Sequence, residues 1–305
     1  MTLEAPSGAA PPRPVRFGAF EWGSTALLAV IWGASFLLIR IGVESFGAGM
    51  VPAFRVGFGA AAIAVFPSSR RPIPLRDWPW VATLGILWMA FPFLLYAFGE
   101  RTVPTAIAGM INGAVPLIAA AVAAIVHRRA PSLTRMAALL IGLAGVSVIA
   151  LSAAHGAHTE ASGAGVLMLI VAVVCFGISA NITPVLQRRY GAMPVLLRAQ
   201  LVAFAASVPY AVVTARTASF SWSALGCMFL LGALGTGLAH AVYATLLGRT
   251  DSTRGGIALF LMPIVATFLG VILRHEALAA GVLAGAALVV VGAALTSRPE
   301  PHAGA

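Results

Sequence analysis

Few side chains in this sequence could carry chemistry, and their positions restrict what that chemistry is. The nine acidic residues are Glu4, Glu21, Glu44, Asp77, Glu100, Glu160, Asp251, Glu276 and Glu300, and each falls in a tail, a loop or the end of a long apolar run. Metal-assisted hydrolysis needs clustered acids or closely spaced histidines, and nucleophilic catalysis needs a nucleophile beside a base. Neither constellation is visible, so no catalytic residue, metal site or cofactor is expected. Cys175 and Cys227 both lie inside apolar runs, which supports neither a disulfide framework nor a Cys/His cluster. His240, in GTGLAHAVYATLL, is the histidine set well inside such a run. An ionisable group there is a functional candidate by default; the plainer reading is a neutral imidazole bonded to a neighbouring helix.

The other candidates bind rather than react. Ser35, Asn112, Asn181 and Gln200 are neutral polar groups within the runs, able to hydrogen-bond a solute or to bridge helices. Asn112 is favoured as a ligand because it lies one turn before Pro116. Trp32, Trp88, Tyr96 and Tyr243 could stack on a solute or attract an ammonium group to their ring faces. Arg55 and Arg198 each stand several residues into a run. A centred arginine costs about 3 kcal/mol even on the lenient insertion scale, so both are expected near opposite mouths, snorkelling as gates or anion guides. Pro116 and Pro263 each remove a backbone hydrogen bond and are expected to kink their helices near the middle.

Membrane-embedded elements must position these residues. The chain is 60% hydrophobic and 9% charged, far too apolar for a soluble domain, where about a quarter of residues are charged. Ten apolar runs, near 22–41, 49–67, 79–99, 103–126, 134–153, 163–186, 193–214, 222–247, 255–273 and 278–296, approach the length needed to cross the hydrocarbon layer. They are continuously apolar and do not alternate, which predicts helices and excludes a barrel. Residues 1–21, rich in proline and alanine, lack the apolar core and cleavage site of a signal peptide and are expected to be a retained, disordered tail.

All 19 basic residues are arginines, scattered singly or in pairs between the runs. The net charge of +10 therefore reads as an orientation signal and not as a nucleic-acid surface. With the N-terminus inside, thirteen arginines lie on the inner side, against Arg40, Arg101, Arg216 and Arg274 on the outer. That asymmetry predicts both termini in the cytoplasm.

The chain also repeats. A shift of 147 residues pairs Gly85 with Gly232, Tyr96 with Tyr243, Pro116 with Pro263 and Gly145 with Gly292. A slightly smaller shift upstream pairs WGAS, Trp32 to Ser35, with FGIS, Phe176 to Ser179, and Arg55 with Arg198. Five spans thus repeat as five, and an odd number forces the second copy to enter from the opposite face. The expected fold is an all-α integral membrane protein of ten transmembrane helices in two inverted five-helix repeats, 22–153 and 163–297, joined by 154–162 and followed by a tail at 298–305.

WGASFLLIR at the first run, the arginine opening the second in VPAFRVGFGA, and the segments TVPTAIAGMINGAVPLIAAAVAAIVHRR and DSTRGGIALFLMPIVATFLGVILRHEAL resemble the drug/metabolite transporter superfamily, specifically its EamA type of ten helices in duplicated halves. The resemblance covers about residues 22 to 296. Where that family often places a Glu at the end of the fourth span of each half, this chain has Glu276 in the second half but Arg129 in the first. The resemblance implies a carrier of the bacterial inner membrane that exports or exchanges metabolites, amino acids and aromatic ones among them. The first four helices of each half would line its cavity. Its partners would be a small solute and the lipid bilayer, with no nucleic acid; the oligomeric state is left open, a monomer sufficing. With no carboxylate expected at mid-membrane, where ion-coupled carriers commonly keep one, uncoupled transport or exchange is the first expectation. Proton-coupled efflux through His240 is the second, and a membrane-embedded enzyme the third.

Overall fold

The computed structural model describes residues 18–126, 132–155, 161–249 and 257–296. Residues 1–17 and 298–305, read as tails, lie outside these, as does most of the 154–162 connection. Every regular element among the described residues is helical, because a helix satisfies its own backbone polar groups where hydrocarbon offers none. The rods are α1 (Ala19–Phe46), α2 (Met50–Ala64), α3 (Trp78–Leu84, a π-helical stretch Gly85–Ala90, then Phe91–Gly99) and α4 (Thr105–Asn112 and Val115–Val126). They continue as α5 (Leu133–His155), α6 (Gly163–Tyr190), α7 (Ala192–Thr214), α8 (Trp222–Phe229, a π-helical stretch Leu230–Leu238, then Ala239–Arg249), α9 (Ile257–Arg274) and α10 (Ala280–Thr296). Six of them, α1, α3, α4, α6, α7 and α8, are long and apolar enough to cross a membrane. The other four hold shorter apolar stretches, Met50–Ala64, Met136–Ile149, Leu261–Arg274 and Ala280–Gly292. Large apolar side chains such as Val30, Leu143, Leu167, Val213, Phe268 and Leu283 face outward, a coat that suits lipid and not water.

Local sequence explains the turns. Glu21 accepts a hydrogen bond from the Gly18 N–H at 3.0 Å and so caps α1. The tight turns from α1 to α2 and from α6 to α7 place Gly47 at φ 76° and Gly191 at φ 86°, a region that side chains with a Cβ avoid. These two glycines occupy matching points of the shift that pairs Trp32 with Phe176. The prolines behave differently. α4 is interrupted at Gly113 and Ala114 and restarts at Val115, just before Pro116, whereas α9 runs unbroken through Pro263.

Packing interleaves the two halves of the chain. α1 lies on α9 and α8, α4 on α6 and α9, α2 on α8 and α7, and α3 on α7 and α6. α5 and α10 pack mainly on each other. Polar contacts gather at two ends. At one, Arg274 meets Glu44 at 2.5 Å, Arg40 meets Glu44 at 3.0 Å, Ser219 donates to the Ser45 carbonyl, and Thr102 meets Ser162 at 2.7 Å. At the other, the Tyr190 hydroxyl donates to Asp77, whose carboxylate also draws Arg76 and Arg189, each at 3.6 Å. The side chain of Arg198 donates to the carbonyls of Ser69 and Arg70 at this same end.

The α5–α10 contact depends on small residues. A Cβ on Gly145 would sit 2.7 Å from the Gly285 carbonyl oxygen, and one on Gly285 would sit 2.7 Å from that of Gly145. Gly285→Leu is therefore expected to push the helices apart and lower stability by about 1–3 kcal/mol, the usual range for overpacking. Gly226→Ala, where nothing lies within 4 Å of the added carbon, should be neutral or stabilising. Thermal unfolding in detergent, followed by monodispersity, checks the pair; equal behaviour of the two variants would contradict the close contact.

Candidate functional site

The π-helical stretches of α3 and α8 occupy matching positions, since Gly85 pairs with Gly232 under the 147-residue shift. Widening the turn frees backbone carbonyls from the α-helical ladder, and such stretches are frequent at functional sites. In α8 the Thr236 hydroxyl donates to the Leu231 carbonyl at 3.2 Å, and the Gly235 carbonyl accepts the Trp32 indole N–H at 3.0 Å. α1 is thereby tied to the irregular part of α8.

Around this bond lies an aromatic group. The Trp32 ring meets His240 at 5.4 Å and Tyr243 at 5.2 Å between centroids, both edge-on, and Trp88 meets His240 at 5.1 Å from α3. Two tryptophans singled out from the sequence thus meet one imidazole, with Tyr243 against the Trp32 ring, and the His240 Nδ1 has no hydrogen-bond partner among the described residues.

A second group mirrors the first. Phe176 of α6 meets Tyr96 at 5.9 Å and Phe93 at 6.2 Å, both on α3. Phe176, Phe93 and Tyr96 are the repeat partners of Trp32, His240 and Tyr243. Each trio joins an aromatic ring from one half of the chain to two rings from the other. The Tyr96 hydroxyl donates to Asn112 Oδ1 at 2.8 Å, and the Asn112 amide reaches the Met262 sulfur at 3.8 Å. Asn112 and Tyr96 therefore form one buried unit beside the break in α4.

Arg55 was expected at a mouth, and the structure buries it instead. It is 8% exposed; its guanidinium lies 3.7 Å over the centroid of the Phe93 ring, and its Nε donates to the Thr236 hydroxyl at 2.9 Å. A desolvated cation–π contact of this kind is worth about 2 kcal/mol or more, which replaces the snorkelling that the sequence suggested. Its repeat partner Arg198 does lie at an end, holding the carbonyls of Ser69, Arg70 and Pro194. Gln200 is fully buried; its amide donates to the Thr236 carbonyl at 3.3 Å while its Oε1 has no partner among the described residues. Ser35 bonds back to the Ile31 carbonyl, and Asn181 bridges to the carbonyls of Ala119 and Gly177. The Ser35 bond stays within α1, while Asn181 ties α6 to α4.

The sequence reading passed over Phe93, Phe176 and Glu100. The first two were available as repeat partners of His240 and Trp32, though an apolar ring carries no chemical flag. Glu100 follows α3 directly, where a span end suggests water. The turn into α4 folds over it, Gly99 packs on Gly165 and Leu169 of α6, and the residue is 0% exposed with both carboxylate oxygens unpartnered among the described residues. Burial pushes its carboxyl well above the usual carboxylate range, against the opposing pull of Arg55 and Arg40. Glu100 thus stands at the end of α3, as the sequence places it, and what the fold adds is its enclosure.

Among the described residues no group of three His, Cys, Asp or Glu side chains is placed to hold a metal. Two grooves open on the surface. One of about 690 Å³ runs between α2 and α7, and one of about 560 Å³ lies between α1, α7 and α8 beside Val242 and Thr245. Neither is lined by the aromatic trios, which fill the centre with their own side chains.

The Tyr96–Asn112 unit makes a quantitative prediction. Asn112→Ala strands a fully buried hydroxyl and should cost about 1–3 kcal/mol of stability. Adding Tyr96→Phe removes that stranded group and should recover most of the loss. A double-mutant cycle on thermal or denaturant unfolding measures it; additive losses would mean that the two groups do not interact.

Comparison with known proteins places this architecture. The chain is 22% identical over 278 residues to a protein of Archaeoglobus fulgidus described as an uncharacterized transporter, covering 91% of this chain and 99% of that one. It is 25% identical to a probable terminal-alkyne amino-acid exporter of Streptantibioticus cattleyicolor, covering 89% and 91% of the two chains. A crystal structure with 22% sequence identity superposes with a TM-score of 0.54 over 88% of this chain and 94% of that one, a likeness of fold. The profile of the EamA-like transporter family matches residues 22–151 and again residues 163–298. The chain, with its helices apolar enough to cross a membrane and its twice-matched family profile, belongs to the EamA-like transporter family.

Proposed function

We propose that the protein carries small amphipathic metabolites, most readily amino acids including aromatic ones, across the bacterial inner membrane by alternating access. Ten transmembrane helices in two inverted halves, with both termini cytoplasmic, would surround the solute. The observation that carries this reading is the pair of aromatic trios, Trp32 with His240 and Tyr243, and Phe176 with Phe93 and Tyr96, each shared between halves. Rocking of one half against the other must part both trios, and what opens between them is a surface of ring faces, one guanidinium and a few amides. The interchange of packing supports an inverted arrangement as well: α1 on α9 corresponds to α6 on α4, and α2 on α8 to α7 on α3.

That surface suits a zwitterion. Ring faces of tryptophan and tyrosine attract an ammonium group. Arg55 offers a carboxylate the bidentate donor that such a group prefers, and the surrounding apolar side chains accept an aromatic or aliphatic substituent. The name of the Streptantibioticus relative agrees with an amino-acid solute. Thirteen arginines on the inner side against four on the outer support the orientation. The groove beside Val242 and Thr245, at the end that also carries Phe66 and Ala192, is the natural approach from the cytoplasm.

Counterflow in proteoliposomes tests the reading. Protein loaded with unlabelled L-phenylalanine should accumulate labelled L-phenylalanine transiently and saturably, and a panel of amino acids and related metabolites should rank by size and polarity. Tyr96→Ala, Tyr243→Ala and Arg55→Ala should each weaken apparent affinity severalfold or abolish counterflow, while Arg198→Ala, at the end of the molecule, should keep it. No counterflow for any amino acid or related metabolite would overturn the proposal, and unchanged affinity in all three interior variants would misplace the site.

A further inference from the structure

Glu100 is the buried acid that the aromatic centre leaves unused, and its neighbours from each side account for its state. From α1, Arg40 donates to the Glu100 backbone carbonyl and pairs its Nε with Glu44 at 3.0 Å, so these donors are turned away from the carboxyl. From α2, Arg55 directs its Nε to Thr236 and its face to Phe93. Tyr96 lies one turn below on α3, its carbonyl accepting the Glu100 N–H at 2.9 Å and its hydroxyl turned to Asn112. From the connection after α9, Glu276 spends one oxygen on the Thr105 N–H at 2.7 Å and the other on the Ala106 N–H at 2.9 Å, capping α4. α6 presents Gly165 and Leu169 beside Gly99 and brings no charge. Two cations are thus within electrostatic reach of a carboxyl group that meets no hydrogen-bond donor among the described residues. A carboxylate so buried, with no donor among the described residues, takes up a proton; the same group, once hydrated beside Arg40 and Arg55, gives it up.

We infer that Glu100 is the proton-binding site of the carrier, exchanging one proton with water in each transport cycle and so coupling solute movement to the proton gradient. The inference rests on the carrier reading above. Its position meets what coupling requires, access from both sides in turn. Above it lies the polar end formed by Arg40, Glu44, Arg274 and Glu276, and parting that end admits water from one compartment. Below it lie Tyr96 and Arg55, which border the aromatic centre, and opening the centre admits water from the other. In the exchange the carboxyl O–H bond breaks, its electron pair stays on the oxygen and the proton passes to water; the carboxylate left behind is balanced by the nearby guanidinium groups. Closing expels the water and restores the acid.

Two measurements test this, the first free of any assumption about the solute. Infrared spectra of the full-length protein in lipid at neutral pH should contain the carbonyl stretch of a protonated carboxylic acid, missing from Glu100→Gln. A wild-type spectrum without a band that the substitution removes overturns the inference whatever the protein carries. In proteoliposomes holding a pH-sensitive dye, addition of L-phenylalanine should move protons with the wild type. Glu100→Gln should lose that proton movement and gradient-driven accumulation while retaining counterflow, and Glu100→Asp should restore part of both. Solute flux without proton movement in the wild type, or proton movement that persists in Glu100→Gln and vanishes in His240→Ala, overturns the inference and leaves the carrier reading intact. Absence of all counterflow overturns the carrier reading instead, and the infrared band then still decides whether Glu100 holds a proton.

Discussion

Hydrocarbon cannot donate or accept a hydrogen bond, and the rest of this structure depends on that fact. It confines the chain to helices, and it makes every polar atom turned inward either matched or conspicuous. Most are matched: Thr236 is donor to Leu231 and acceptor for Arg55, Asn112 accepts from Tyr96, and Trp32 finds the Gly235 carbonyl. The exceptions are few among the described residues. They are the Thr25 and Thr105 hydroxyls, Gln200 Oε1, His240 Nδ1 and both oxygens of Glu100.

Helices alone would make a poor cavity, because a regular backbone exposes no polar groups along its length. The π-helical stretches Gly85–Ala90 and Leu230–Leu238 and the break at Gly113 and Ala114 relieve that restriction locally. Each lies beside an aromatic trio or the Tyr96–Asn112 pair. The irregular backbone is tolerated because neighbouring helices cover it, with Gln200 bonding the Thr236 carbonyl and Trp32 the Gly235 carbonyl. These same places are where one half could move on the other with little loss of backbone bonding.

Duplication supplied a symmetric scaffold, and substitution then made its two sides unlike. Trp32, His240 and Tyr243 face a more polar corner; Phe176, Phe93 and Tyr96 form an apolar one on which Arg55 lies. Where Arg55 has the Phe93 ring beneath it, the matching position in the other half is His240. Arg198 turns to the loop carbonyls at the molecular end. Glu276 has no acidic counterpart in the first half and caps α4 across the interface between halves. The two trios thus present different chemistry at matching places of the two halves.

The sequence by itself determined the helical class, the membrane setting and the duplication, because each is written in quantities that survive without coordinates: length of apolar runs, scarcity of charge, and recurrence of Tyr, Pro and Arg at a constant shift. It also pointed to residues that do meet, Trp32, Trp88, His240 and Tyr243 in one group and Tyr96 with Asn112 in another. What only the tertiary structure decided was depth and partnership. Arg55 and Arg198 look equivalent in sequence, yet one is buried on a phenylalanine of its own half and the other tied to a loop, an outcome set by neighbours that only the fold brings together. Glu100 looks like a loop residue, yet the fold encloses it, because burial is a property of the neighbours that close over a position and not of the position along the chain.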